Sequence, residues 1–117
     1  MNLWPSEFFS REEFACKCGC GLDKVDAELL NILNLIRKKF GRTSVSSGCR
    51  CPTYNAKIGG AEDSRHIHCD AADITCENGT PKEVADYAEE LGVDGIGRYR
   101  GWTHIDTRGF KARWGSN

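Results

Sequence analysis

The segment Ser64-Arg-His-Ile-His-Cys-Asp-Ala-Ala-Asp73 places a histidine, His66, seven positions ahead of an acidic residue, Asp73. The residues that end it, AADIT at 71–75, favour a strand, because β-branched side chains pack well on a pleated surface. A loop that leads into this strand could bring both side chains to one point.

A second segment, Trp102-Thr-His-Ile-Asp-Thr107, alternates in polarity. In a strand, His104 and Asp106 therefore face the same side. If the two strands lie side by side, two imidazoles and a carboxylate meet, and such a set with water in the fourth position can hold a catalytic zinc ion. Spacing alone leaves the alternative equally open, in which His66 and His68 are loop residues and Asp73 is a helix or turn cap.

The elements around these segments predict an α+β fold. The clearest helix follows Asp26 and stops at Gly41. Its apolar residues recur at spacings of three and four and form one stripe: Leu29, Ile32, Leu33, Ile36 and Phe40.

A second main helix is predicted from Thr80-Pro-Lys-Glu83, which has capping-box spacing with proline at the first helical position, to Leu91. A shorter helix opens at Pro52 and is broken by Gly59-Gly60. Strands are predicted at 43–47, 71–75, 96–99 and 103–107. This order predicts a small, mostly antiparallel sheet packed with the two main helices.

The length of 117 residues allows one domain, 1–117, in which 1–25 form an N-terminal arm with a Cys-rich loop. The net charge of −1 argues against a nucleic-acid partner. No segment is apolar enough to cross a membrane, and the N-terminus lacks the pattern of a signal peptide. The chain is expected to be a monomer. Aromatic residues are expected to pack the two ends onto the core: Trp4, Phe8, Phe9 and Phe14 onto the main helix, and Trp114 at the C-terminus.

Seven cysteines occur, an odd number, which does not make a complete disulfide framework. They are Cys16, Cys18, Cys20, Cys49, Cys51, Cys69 and Cys76. The first three, with Cys49 or Cys51, could form a structural zinc site. The alternatives are disulfides between two clusters, one of Cys16, Cys18 and Cys20 and the other of Cys49 and Cys51, or free buried thiols. The absence of a C-x-x-C pair argues against a redox module.

Several segments in a fixed order carry a resemblance to a known family: SSGCR (46–50), NAKIGGAEDSRH (55–66), AADI (71–74), GIGRY (95–99) and HIDTR (104–108). They resemble the zinc D-alanyl-D-alanine carboxypeptidase family, which includes phage endolysins and murein endopeptidases and shares its fold with the hedgehog signalling domain. The run FACKCGCG (14–21) is similar to the start of some members.

The resemblance implies roles for individual residues. The metal ligands it implies are His66, Asp73 and His104. Arg50 matches an arginine that faces the substrate, Ser64 the serine ahead of the first ligand, and Asp106 the acid of the H-x-D motif. Apart from the resemblance, Tyr99 is a candidate for the wall of the substrate groove, together with Tyr54 and Trp102, and packing in the core is the alternative role of each.

The role of Asp106 stays open between two readings. It could be the carboxylate that accepts the proton from the attacking water. It could also orient His104 or pair with an arginine such as Arg108. One branch of the family has a glutamate three residues before the third ligand, and Gly101 occupies that position here.

Two further positions depart from the family pattern. Cys49 replaces an aromatic residue, and Cys69 stands where glycine is expected. If position 69 needs a positive φ, Cys69 is strained there, because glycine tolerates that region far better. His68 and Cys69 could also compete for the metal.

The resemblance implies zinc-dependent hydrolysis of peptide bonds in the stem peptides or cross-links of bacterial peptidoglycan. Both a D-Ala-D-Ala carboxypeptidase and an endopeptidase fit, and the features suit a phage lysin. Such a protein is made in the cytoplasm and acts at the cell wall or in the periplasm after phage-mediated release. The alternative is a non-catalytic zinc-containing binding module of the same fold.

Overall fold

Helix α1 (Ala27–Phe40) begins and ends where its sequence predicts. Asp26 caps the helix by accepting a hydrogen bond from the backbone N–H of Leu29, and Gly41 ends it at φ 74°. The computed structural model describes residues 8–117, so the prediction made for Trp4 lies outside the described residues.

Two further helices also follow their predicted signals. Helix α2 (Pro52–Lys57) starts at the predicted proline and stops before the two glycines. Helix α3 (Pro81–Leu91) opens with the Thr80–Glu83 capping box, in which each residue's side chain accepts the other's backbone N–H. None of the helices among residues 8–117 is both long enough and apolar enough to cross a membrane.

The sheet has five strands: β1 (Thr43–Ser47), β2 (Ala71–Cys76), β3 (Gly95–Arg98), β4 (Thr103–Asp106) and β5 (Ala112–Gly115). Their spatial order is β1-β2-β4-β3-β5. All neighbouring pairs are antiparallel except β3 and β5, which run parallel. The predicted α+β class, the mostly antiparallel sheet and the two main helices are confirmed. Strand β5 was not predicted.

The two faces of the sheet have different partners. Alternate residues of the central strands face α1 and α3 and join their apolar stripes in one core. The buried side chains of this core include Leu33 and Ile36 of α1, Val84 and Ala88 of α3, and Ile74, Ile96 and Ile105 of the sheet. The intervening strand residues therefore point to the opposite face.

The described part of the N-terminal arm packs onto the same core, as predicted. Phe9 and Phe14 are buried with their rings 5.7 Å apart. Phe8 lies under the guanidinium of Arg37 on α1, 5.0 Å from ring centroid to Cζ. The backbone carbonyl of Phe14 also accepts a hydrogen bond from Cys49, which ties the arm to the turn after β1.

Candidate metal centre and active site

One row of residues crosses the face of the sheet that points away from the helices. Strand pairing aligns Ser47, Asp73, His104, Gly97 and Trp114 as successive Cα partners, one from each strand. Because each partner belongs to a different strand, the sheet brings together residues that are up to 67 positions apart in sequence. The predicted neighbourhood of Asp73 and His104 follows directly from this register.

His66 reaches the same place from a 3₁₀ turn, Arg65–His68, that precedes β2. The Ser64 hydroxyl accepts a hydrogen bond from the backbone N–H of His66 and shapes the start of the turn. On the imidazole, Nδ1 lies 2.7 Å from the carbonyl oxygen of Gly48, and Nε2 lies 3.4 Å from Oδ2 of Asp73. The contact with Gly48 fixes the ring so that Nε2 faces the carboxylate.

The His104 ring is also fixed by a contact at one nitrogen, which is Nε2 here and Nδ1 in His66. Its Nε2 lies 2.7 Å from Oδ2 of Asp106, and its Nδ1 lies 3.0 Å from Oδ1 of Asp73. The two imidazoles meet edge to face with ring centroids 5.1 Å apart. One ligand atom from each of His66, Asp73 and His104 therefore lies within 4.8 Å of the others.

This donor set fits a zinc ion. Histidines that bind a metal through one nitrogen generally donate the N–H of the other to a carbonyl or a carboxylate. His66 has that contact with Gly48, and His104 has it with Asp106. Two imidazole nitrogens and one carboxylate oxygen remain, which matches the three protein ligands of a catalytic zinc site.

The protonation states of Asp73 and His104 depend on their neighbours in the site. Burial alone would raise the pKa of Asp73, but hydrogen bonds from His104 and His66 outweigh it and hold that pKa well below its ordinary value. Burial would lower the pKa of His104, but its contacts with Asp106 and Asp73 raise it above the ordinary 6.5. Without a metal, the site therefore favours an ionised Asp73 beside a proton on His104.

Asp106 lies behind His104 and is fully buried. The Arg108 guanidinium binds both of its oxygens, with Nε at 2.9 Å and NH2 at 2.7 Å. Burial would raise the pKa of Asp106, but Arg108 and His104 together keep it below its ordinary value. A low pKa and two occupied oxygens suit a carboxylate that orients His104, so the geometry favours this reading over that of proton acceptor.

Arg50 lies beside the ligand set. Its Nε donates to the Ser47 hydroxyl at 3.1 Å, and its NH1 donates to Oδ1 of the buried Asn55 at 3.2 Å. Its NH2 is 3.7 Å from Oδ2 of Asp73. Arg50 therefore points one edge of its guanidinium at the carboxylate of the metal set.

An open cavity of about 440 Å³ lies over these residues. Asp63, Ser64, Arg65 and Arg108 contribute to its rim and walls, together with Arg50 and the three predicted ligands. Tyr54 and Asp106 are not among the lining residues. The predicted site residues Ser64 and Tyr99 therefore line the same cavity as the three candidate metal ligands. Asp63 and Arg65 also line it, although they were not predicted from the sequence.

Three aromatic side chains form one wall of this cavity. The rings of Tyr99 and Trp102 stack 4.4 Å apart, and Trp114 donates from Nε1 to the Tyr99 hydroxyl at 2.8 Å. The Trp114 ring also lies 4.9 Å from that of His104. The prediction of Trp114 as a C-terminal anchor missed this role, because β5 was not recognised and its register with Gly97 could not be read.

The two departures from the family pattern bond to each other. Cys49 and Cys69, which are 20 positions apart in sequence, form a disulfide. Cys69 has φ 58°, so the conditional prediction of a strained backbone at this position is confirmed. Among the described residues, Cys16, Cys18, Cys20 and Cys51 are free, so the alternative of disulfides between the two groups of cysteines is not the one that the structure shows. Cys69 cannot compete for the metal because its sulfur is already bonded.

Two imidazoles and a carboxylate in an open cavity of an α+β domain are the ligand arrangement typical of metal-dependent hydrolases. The family model described as Peptidase M15 matches residues 7–106, and the chain belongs to this family. The resemblance drawn from the sequence is thereby confirmed. No curated protein matches the chain. Trp114 lies beyond the matched segment.

Proposed function

We propose that this chain is a zinc metallopeptidase that hydrolyses peptide bonds in bacterial peptidoglycan, with His66, Asp73 and His104 as the metal ligands. The observation that carries the proposal is the convergence of their three ligand atoms within 4.8 Å at an open cavity. Two further observations support it. Each imidazole has a contact at its other nitrogen, His66 with the Gly48 carbonyl and His104 with Asp106, and the chain belongs to a peptidase family. Stem peptides and their cross-links are the substrates we assign, for a carboxypeptidase or an endopeptidase such as a phage lysin acting at the cell wall.

In this proposal the bound zinc supplies Lewis acidity near neutral pH. The residues of the chain do the rest. Arg50 offers guanidinium donors beside the ligand set, where it can bind a substrate carboxylate or the oxygen that becomes negative during hydrolysis. Ser64 keeps the 3₁₀ turn in place, and Tyr99 with Trp102 provides a flat apolar wall for the peptide.

Asp63 is our candidate for the proton acceptor. Among the described residues that line the cavity, the carboxylates belong to Asp63 and Asp73, and we assign Asp73 to the metal. Asp63 is exposed to solvent at the rim, so it can exchange a proton with water and deliver it to the departing amine. Asp106 is assigned to orient His104.

The test is digestion of purified peptidoglycan, with the soluble fragments identified by mass spectrometry. Wild-type protein should release new fragments, and a chelator or His66→Ala should abolish them. His68→Ala is the matched control, because His68 is exposed and lies outside the ligand set. The fragment masses name the bond that is cut. An absence of products from every wall chemotype, from a protein that carries one more zinc ion than His66→Ala does, would reject the peptidase and leave the non-catalytic binding module.

The proton acceptor is tested separately with Asp63→Asn. We expect kcat to fall by roughly 100-fold or more, since removing a general base costs about 10²–10⁴ in rate, while the zinc content stays unchanged. Glu62→Gln is the control, because this neighbouring carboxylate does not line the cavity. Equal activity of the two variants would exclude Asp63 from proton transfer.

A further inference from the structure

A second cluster of potential ligands lies outside the cavity. Three cysteines, Cys16, Cys18 and Cys20, lie in the loop that precedes α1, and Cys51 caps the start of α2. Their four sulfurs all lie within 4.8 Å of one another. The distances from the Cys18 sulfur are 3.4 Å to Cys16 and 3.6 Å to Cys51.

These distances suit a metal better than a covalent bond. A disulfide needs sulfurs about 2.05 Å apart. Four sulfurs placed tetrahedrally around zinc at about 2.3 Å are separated from each other by roughly 3.8 Å. The observed separations lie close to that second value, so the four thiols approximate the corners of one zinc site.

Backbone groups already support this arrangement. The N–H of Cys51 donates to the sulfur of Cys16 at 3.3 Å, and the N–H of Tyr54 donates to the sulfur of Cys51 at 3.4 Å. Hydrogen bonds of this kind stabilise the charged form of their acceptor, which is the thiolate that a metal requires.

Two glycines with positive φ let the loop turn sharply enough to place three cysteine ligands within five residues. Gly19 and Gly21 have φ of 83° and 90°, values that glycine adopts without steric strain and other residues rarely adopt. The N–H of Cys16 donates to the carbonyl of Leu22 at 2.8 Å and closes the loop on itself. This closure brings alternate residues 16, 18 and 20 to one side although the sequence has no C-x-x-C pair.

The remaining cysteines have other partners. Cys49 and Cys69 are joined as a disulfide, and Cys76 lies 3.4 Å from the Thr43 hydroxyl. The choice between Cys49 and Cys51 as fourth ligand, which the sequence left open, is therefore resolved by geometry in favour of Cys51.

We propose that Cys16, Cys18, Cys20 and Cys51 bind a second zinc ion, which fastens the N-terminal loop to the turn that carries Arg50. Four thiolates fill a tetrahedral zinc, so this site has no open position for a substrate and is structural. Cys51 directly follows Arg50 in the chain, so the ion would hold one end of the segment from which Arg50 reaches Asp73.

Cobalt distinguishes the two sites by colour. A cobalt ion bound by four thiolates absorbs strongly in the near ultraviolet through sulfur-to-metal charge transfer, whereas a site of two imidazoles and a carboxylate lacks that band. We expect anaerobically prepared wild-type protein to bind two metal ions per chain and to show the band. Cys18→Ser should lose the band and one ion, while His66→Ala should lose one ion and keep the band. Cys76→Ser is the control and should match the wild type.

Two results would overturn the proposal. One is wild-type protein without the charge-transfer band at saturating cobalt. The other is peptide mapping of unreduced, metal-loaded protein that finds disulfides among these four cysteines. The wild-type spectrum decides the question even if Cys18→Ser does not fold. None of these measurements depends on hydrolysis, so the outcome is independent of the peptidase assignment.

Discussion

The contact between His104 and Asp106 is the residue-scale feature on which the candidate centre depends most. Asp106 accepts from Nε2 at 2.7 Å and is itself held by Arg108. A buried carboxylate in this position sets which nitrogen of the imidazole faces Asp73. Gly95 is part of the same arrangement, because a Cβ there would come within 2.1 Å of the Asp106 carboxylate.

We expect Asp106→Asn to weaken zinc binding by about 10- to 100-fold, the usual cost of losing an outer partner of a metal ligand. Competition with a chromogenic chelator measures this affinity, as the zinc-binding step that His66→Ala lacks. Asp86→Asn is the control, because it removes a carboxylate of similar size from the exposed surface. Unchanged zinc affinity combined with lost hydrolysis would restore Asp106 as the proton acceptor.

The raised pKa of His104 predicts a pH dependence of metal binding. Zinc must displace the proton from Nδ1, and this proton is held up to a pH above 6.5 because Asp106 and Asp73 outweigh the effect of burial. Affinity should therefore fall on acidification, by about tenfold per pH unit below the His104 pKa. Asp73 adds no proton to this change near neutrality, since its pKa is lowered.

Isothermal titration with zinc across roughly pH 6 to 8, which brackets the ordinary histidine pKa, measures the effect as the difference between the wild type and His66→Ala, which keeps the cysteine site. His68→Ala should give the same profile as the wild type, because His68 is exposed. A flat profile in the wild type would mean that His104 is already neutral in the metal-free protein.

At the scale of elements, the packing of β5 against β3 depends on the absence of a side chain at Gly97. A Cβ at Gly97 would lie 2.6 Å from the ring of Trp114. The missing side chain lets the indole cross the face of β3 and reach the Tyr99 hydroxyl. Gly97 thus connects the packing of an edge strand to the wall of the cavity.

Gly97→Ala should destabilise the protein by about 1–3 kcal/mol, because the added methyl group forces Trp114 out of its place. Urea unfolding measures the difference. Gly101→Ala is the control, since a Cβ there meets no atom within 4 Å. Equal stability of the two variants would show that the sheet absorbs the methyl group without moving Trp114.

The elements that the sequence predicted well are those with local signals. Asp26, Gly41 and the Thr80–Glu83 capping box fix helix ends through contacts within one turn, and the predicted ends of α1 and α3 agree with the structure. Strand β5 has only four residues, and its parallel pairing with β3 leaves no hairpin signal. Its existence depends on Gly97, which is distant in sequence.

The candidate site likewise contains some features that the sequence predicted and others that it did not. His66, Asp73 and His104 were predicted because their order matches a family pattern, and the structure brings them together. The disulfide between Cys49 and Cys69 was missed, because seven cysteines allow many pairings and spacing does not choose among them.

At the scale of the whole molecule, this disulfide joins the two turns that carry the site. Cys49 precedes Arg50, and Cys69 follows the 3₁₀ turn of His66. The backbone N–H of Arg50 also donates to the carbonyl of His66 at 2.9 Å. The cross-link and the hydrogen bond together keep the two turns adjacent.

Reduction should therefore lower the free energy of unfolding by about 3 kcal/mol, as expected for closing a loop of this length in the unfolded chain. Urea unfolding with and without a phosphine reductant, in the presence of zinc, measures this. A double variant, Cys49→Ala with Cys69→Ala, should be less stable and indifferent to the reductant. A reductant effect that persists in the double variant would assign the loss to other cysteines.

The bond between positions 49 and 69 also has a consequence for how these sequences diverge. An unpaired cysteine at 69 would keep the left-handed backbone, at φ 58°, without the cross-link that holds it there. Selection should then act on the two positions as a unit. Among relatives aligned to this chain, cysteine at one position should accompany cysteine at the other, and an aromatic residue at 49 should accompany glycine at 69.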